Sequence, residues 1–236
     1  MKSRLISVLI LVLSPKFGTG AGIRADPMVT FEYSNIFDGP CYNVIKTPVD
    51  TAAVEELRAR VSSWKEQWER DAPDFFATTV RLTGRPFKFH ETHAALFTCP
   101  AFPAMSLPLM LNVRRFLAAT QGPDSQDPHA FPRTLFHEVL HRYVHERIGE
   151  LPGRTTPLLE KYKDEPQAVR SHLHNLAIME EVFKSLGRME DLEANRKSIS
   201  SLGGIAGMRG AGDLKRALEI IAAERASALV KELAGK

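Results

Sequence analysis

The chain has 236 residues, 44% of them hydrophobic, 31 basic against 28 acidic side chains, and two cysteines. That composition suits one globular domain and excludes a cysteine-built zinc module, because no C-x-x-C pair exists. Residues 1–25 hold four of the basic residues and no acid, so the remainder carries 27 basic and 28 acidic residues, and strong attraction to nucleic acid or to a membrane surface is not expected.

The first 25 residues differ in kind from the rest. Lys2 and Arg4 form a basic tip, an apolar run follows from Leu5 to Leu13, and small residues offer cleavage after Ala21 or Ala25. This is the layout of a secretory signal peptide. The apolar run is too short for a membrane span of about 20 residues. The expectation is an exported protein, periplasmic or secreted, with no stable membrane insertion once the leader is removed. Residues 26–236 then form a single domain, with an α/β part over 26–128 and a helical part over 129–236. In an exported chain the even pair Cys41 and Cys99 suggests one disulfide.

Along the chain, MVTFEY (28–33) alternates and predicts a strand, and FDGPCYN (37–43) predicts a turn or loop. The stretch 48–73 predicts an amphipathic helix. Val54, Leu57, Val61, Trp64 and Trp68 fall at helical spacing, Asp50 or Thr51 can cap it, and Pro73 lies just past its end. Residues 75–99 alternate on both sides of Thr83-Gly84-Arg85 and predict a hairpin. His90 and His93 lie there, three apart, and in a strand they face opposite sides and cannot share a metal. Residues 102–117 read as an apolar extended run in which Pro108, lacking a ladder donor, favours a sheet edge.

The rest reads as helical. Pro132 opens and Gly149 stops a helix, Pro166 and Gly187 bracket another, and Asp213 caps a last helix over 214–234. Residues 201–213 read as a connection. Strands first and helices later give an α+β fold class.

The helix over 132–149 contains TLFHEVLH, with His137, Glu138 and His141 in the order H-E-x-x-H. With His137 at zero, His141 falls at about 40° and shares its face with apolar Leu140, Val144 and Ile148. Two imidazoles one turn apart on an inward face suit tetrahedral zinc. Glu138 falls at about 100°, beside that face, where a carboxylate can take a proton from water and pass it to a leaving amine.

A catalytic zinc site needs a third protein ligand and one open position. Arg147 stands six residues after His141, where the extended motif of the metzincins has a histidine. His145 drifts to about 80° and away from His137, which makes it a poor ligand. Four candidates remain in 166–187: His172, His174, Glu180 and Glu181. His172 is central in the apolar stripe formed by Leu176, Met179, Phe183 and Leu186. Glu180 borders the stripe, and His174 and Glu181 fall on the opposite side. The expected metal set is therefore His137, His141 and His172, with Glu138 as the catalytic acid/base and Zn2+ as cofactor. Tyr143, Tyr162, His145 and His174 are candidate oxyanion donors.

The H-E-x-x-H helix with an apolar edge-strand candidate upstream resembles the zincin metallopeptidases. Leu135, Phe136, Val139, Leu140 and Tyr143 fit the uncharged surroundings usual there, and Arg142 departs from them. The resemblance implies a zincin-like α+β fold, an H-E-x-x-H helix under a sheet, and a peptide or protein substrate laid along the edge strand near Ser106–Val113. The His-Leu-His pair at 172–174, Leu186-Gly187-Arg188 and the upstream Leu-Leu-Glu-Lys-Tyr also resemble a group of uncharacterised bacterial proteins over residues 130–235. That likeness agrees with a histidine ligand and implies no substrate. Three readings follow: a zinc peptidase, a zinc amidase acting on cell-wall material, and a non-enzymatic binding or scaffold protein with a vestigial metal site. The intact Glu138 argues against the third, since a purely structural site has no need of that acid.

Overall fold

The computed structural model describes residues 26–102, 104–201 and 211–234. The leader segment and most of the predicted connection over 201–213 lie outside the described residues. The fold is α+β, mostly helical, with a small mixed sheet. Strand β1 (Met28–Tyr33) pairs in parallel with β2 (Glu91–Phe97), and β2 pairs in parallel with β4 (Leu109–Asn112). Strand β3 (Met105–Ser106) closes the sheet as an antiparallel edge beside β4, giving the order β1-β2-β4-β3. The predicted single extended run over 102–117 is thus two strands, folded back at Leu107-Pro108. Pro108 lies in the turn, β4 is internal, and of these two strands β3 is the one at an edge of the sheet.

Three predicted elements take a different form, each for a physical reason. FDGPCYN is part of helix α1 (Asn35–Val44), not a loop. Tertiary anchors hold it: Asp38 is buried and accepts from Thr98 N at 2.8 Å, Thr98 Oγ1 at 2.7 Å and Cys99 N at 2.8 Å. Cys41 one turn later is disulfide-bonded to Cys99, with a Cα–Cα distance of 6.1 Å. A formed disulfide belongs with an oxidising compartment. No helix among the described residues is long and apolar enough to cross a membrane.

Helix α2 (Thr51–Thr83) runs straight through Pro73 and takes in the first half of the predicted hairpin. An interior proline costs about 3 kcal/mol. Here Pro73 faces solvent while Ala72, Phe75, Phe76 and Thr79 around it are buried, and that burial outweighs the loss. The threonines that gave the stretch its strand-like pattern back-bond within the helix. Thr79 Oγ1 donates to Phe75 O at 2.7 Å and Thr83 Oγ1 to Thr79 O at 2.8 Å. Gly84, at φ 66°, is the left-handed cap that ends the helix rather than a hairpin turn. At the other end Asp50 caps, accepting from Ala53 N at 3.1 Å.

The C-terminal half consists of α3 (Ala130–Ile148), α4 (Pro157–Lys161), α5 (Gln167–Ser185), α6 (Met189–Ser201), α7 (Ala211–Glu224) and α8 (Ala226–Glu232). The single last helix expected from the sequence is two, broken at Arg225, whose φ of 68° is incompatible with a continuous helix. Asp213 lies in the first turn of α7.

One apolar core joins the halves. Phe75 of α2 stacks on Phe136 of α3 with ring centroids 4.6 Å apart, and both meet Phe183 of α5 at 5.7 and 6.4 Å. Trp64 stacks on Phe131 at 4.4 Å. Burying each such ring contributes about 2–3 kcal/mol. The result is a rigid α2–α3–α5 unit, and it fixes α3 against α5 where the histidines meet.

Candidate metal centre

His137 and His141 lie one turn apart on α3, and His172 projects from the first turns of α5 to meet them. The three imidazoles form a cluster that could bind a metal ion, with one ring nitrogen from each lying within 4.8 Å of the others. His137 Nε2 and His141 Nε2 are 3.1 Å apart. The ring of His172 is 5.3 Å from that of His137 and 4.5 Å from that of His141, centroid to centroid.

Three imidazoles are a donor set that zinc, like other divalent transition metals, accepts. Tetrahedral bonds of about 2.0–2.1 Å separate ligand nitrogens by roughly 3.3 Å, the spacing His137 and His141 approach. His172 Nδ1 donates to the Ala168 carbonyl at 2.6 Å, which fixes its tautomer and leaves the Nε2 lone pair free for a metal. Burial, reinforced by His141 and His172, pushes the His137 imidazolium well below the usual histidine range. Burial with the nearby His172 lowers His141 to about 3, and burial lowers His172. All three are therefore neutral at pH 7, the state in which imidazole coordinates. Asn175, on α5 one turn beyond His172, donates from Nδ2 to the His137 backbone carbonyl at 2.9 Å and locks α5 to α3.

Glu138 is buried beside this cluster, only 8% exposed. Burial lifts its pKa to about 7, against the opposing effect of the Ser106 hydroxyl. Ser106 Oγ, on the edge strand β3, donates to Glu138 Oε2 at 2.5 Å. Glu138 Oε1 makes no hydrogen bond among the described residues. A carboxyl group that titrates near neutrality and keeps one oxygen free is suited to carry a proton in either direction.

The other candidates lie elsewhere. Glu180 is tied to Lys184 at 2.6 Å and Arg196 at 3.0 Å, and Glu181 to Lys184 at 3.2 Å. His174 is buried on the far side of α5, 3.0 Å from Glu232 of α8 and 3.4 Å from Thr156. The wheel placed it opposite the apolar stripe, but α5 is buried nearly all round because α7 and α8 cover its other face. Of the four oxyanion candidates, Tyr143 donates to Arg85 O at 2.9 Å and lies 2.6 Å from Thr83 Oγ1, and Tyr162 donates to Glu224 at 2.6 Å. His145 alone of the four lines the cleft beside His141. Ser106, Asn175 and the Ala168 carbonyl were not legible as site residues. The one available signal was the i, i+3 spacing of His172 and Asn175 on one helix face.

Of the three cluster histidines His141 lines a cleft of about 370 Å³, bordered also by Ser106, His145 and Ser171. The edge strand, the histidine helix and the start of α5 thus converge on one concave surface. Comparison with protein-family models, with curated proteins and with solved structures finds no match for this chain.

Proposed function

We propose that this chain is an exported zinc-dependent hydrolase, a peptidase of zincin-like design, with His137, His141 and His172 as metal ligands and Glu138 as the acid/base. The observation that carries the reading is Glu138: a buried carboxyl group beside a three-histidine cluster, held near neutrality and pinned by the edge strand at Ser106. A structural zinc site is closed by a fourth protein ligand, and the described residues supply three. A metal ion in this shell supplies Lewis acidity, making water nucleophilic near pH 7 and polarising the scissile carbonyl.

The chain's own residues supply the proton handling. Glu138, as carboxylate, takes a proton from the attacking water at the free Oε1. It then delivers that proton to the leaving amine, which completes bond cleavage with Glu138 regenerated. His145, which lines the cleft one turn from His141, would be the donor to the oxygen on which charge develops. The unpaired side of the edge strand β3 would take an extended substrate backbone by β-addition.

Zinc stoichiometry together with digestion of a peptide library tests the proposal. Wild type should bind one zinc per chain and cleave peptides, and Glu138→Gln should keep the zinc and lose turnover. Turnover surviving that change overturns the mechanism. Cleavage of cell-wall fragments without peptide cleavage would instead favour an amidase.

A further inference from the structure

The cleft beside the histidine cluster has a second chemical character. Among its lining residues are two arginines, Arg154 before α4 and Arg170 in the first turn of α5, and no acidic residue. Other arginines among the described residues are paired to a carboxylate, as Arg114 is to Asp50 and Arg188 to Asp191. Neither Arg154 nor Arg170 forms an ion pair among the described residues. Arg154 makes no side-chain hydrogen bond there. Arg170 donates from one terminal nitrogen to Lys163 O at 3.3 Å, while its Nε is buried without a partner.

Arg154 is exposed and Arg170 half-buried, so both guanidinium groups keep donors free for an anion that enters the cleft. The same cleft has an apolar lining in Leu107, Val144, Ile148 and Leu159. Guanidinium presents a planar donor fork that matches a carboxylate.

From this geometry we infer that the cleft is a specificity pocket for a carboxylate-bearing peptide residue, which Arg154 and Arg170 bind while its aliphatic stem lies on the apolar wall. The inference rests on the metal-site reading above. The carboxylate has two possible sources, an acidic side chain or the free C-terminus of the peptide, and both present the same group to the arginines. A substrate so anchored shares the cleft with His141 and with Ser106, the hydrogen-bond partner of Glu138.

Binding of zinc-chelating hydroxamates, measured by calorimetry on the zinc-loaded full chain, tests this. Three compounds share a leucine-hydroxamate head and end in Glu-amide, in Gln-amide, or in Gln with a free terminal carboxylate. Either carboxylate compound should bind wild type on the order of ten-fold tighter than Gln-amide. That preference should vanish in Arg154→Ala/Arg170→Ala, while Gln-amide binds both proteins equally and thus reports an intact fold and metal. Preference for the side-chain acid or for the terminal acid identifies the source, and either supports the pocket. Equal binding of all three to wild type overturns the pocket while leaving the metal site standing. No binding by any of them, with zinc absent, overturns the metal-site reading and the pocket with it.

Discussion

Ser106 Oγ and Glu138 Oε2 lie 2.5 Å apart, joining an edge strand to the buried acid of a helix that begins 24 residues later in the chain. The two act on Glu138 in opposite senses: burial raises its pKa and the serine hydroxyl restrains the rise. The same bond ties the sheet edge to the acid, so the surface that can take a substrate strand and the group that can move a proton are mechanically one unit.

Glu138 makes the apo protein less stable at high pH. Its folded pKa, about 7, is above the unfolded value of 4.5, so the folded state binds more protons between those limits. The contribution is present below pH 4.5 and is lost as pH rises through 7. Glu138→Gln, which cannot ionise, should therefore stabilise the metal-free protein at pH 8 by about 3 kcal/mol and have little effect at pH 4.5. Urea melts in chelator at the two pH values check this. Equal midpoints at pH 8 would show that the carboxylate is solvated.

The third ligand is decided by metal content. His172→Ala should weaken zinc binding by more than about 100-fold, since two imidazoles and solvent remain. Glu180→Ala should leave occupancy unchanged, because Glu180 is engaged by Lys184 and Arg196. Full occupancy in the histidine variant, measured by elemental analysis after dialysis against a weak chelator, would remove His172 from the shell.

The half-buried cluster histidines titrate with the opposite sign to Glu138. His141 has a folded pKa of about 3 against 6.5 unfolded, so the unfolded state binds more protons in that window and stability falls as pH drops below 6.5. The slope reaches about 1.4 kcal/mol per pH unit for each such group. Asp127 and Glu232, whose carboxyl groups are lowered by their partners against the cost of burial, add loss of the same sign at lower pH. The comparison with His141→Gln isolates the histidine. Between pH 6.5 and 5 the apo wild type should lose thermal stability faster than the variant. Parallel curves would contradict neutral burial of His141.

How far the sequence carries depends on the range of the interaction. The spacing of His137, Glu138 and His141 within one helix was legible, because four residues make one turn wherever the helix lies. The stripe of α5 led to His172, because that stripe packs on α3. His174 misled for the converse reason: a second layer of helices buries the face that the wheel assigns to solvent. Pro73 and the threonines of α2 misled because back-bonding and aromatic packing, both set by tertiary neighbours, override local propensity. Ser106 was legible only as part of the expected edge strand and Asn175 only by its spacing from His172; their bonds to Glu138 and His137 were not, since each partner is more than 30 residues away.

The disulfide should be a stability element separable from the site. Cys41 and Cys99 close a loop with a sequence separation of 58, worth about 4 kcal/mol by chain entropy. They pack with Tyr42, Phe97 and Met110 in a small cluster apart from the main core. Cys41→Ser/Cys99→Ser should lower the denaturation midpoint while zinc stoichiometry stays unchanged in the folded fraction. Loss of zinc from the folded double variant would mean that α1 supports the site after all.

Removing the Ser106 hydroxyl tests whether the edge strand tunes the acid. In Ser106→Ala only burial acts on Glu138, so its pKa rises and less carboxylate is present at neutral pH. A hydrogen bond to a charged group is worth about 1.5–3 kcal/mol, which corresponds to a shift on the order of one pH unit or more. The acid limb of kcat/KM should move to higher pH by that amount. kcat at pH 7 should fall several-fold, with zinc content unchanged. Ser106→Thr, which keeps the hydroxyl, should restore the wild-type profile. A merely structural role for Ser106 would lower activity evenly across the pH range and would leave the acid limb where it was.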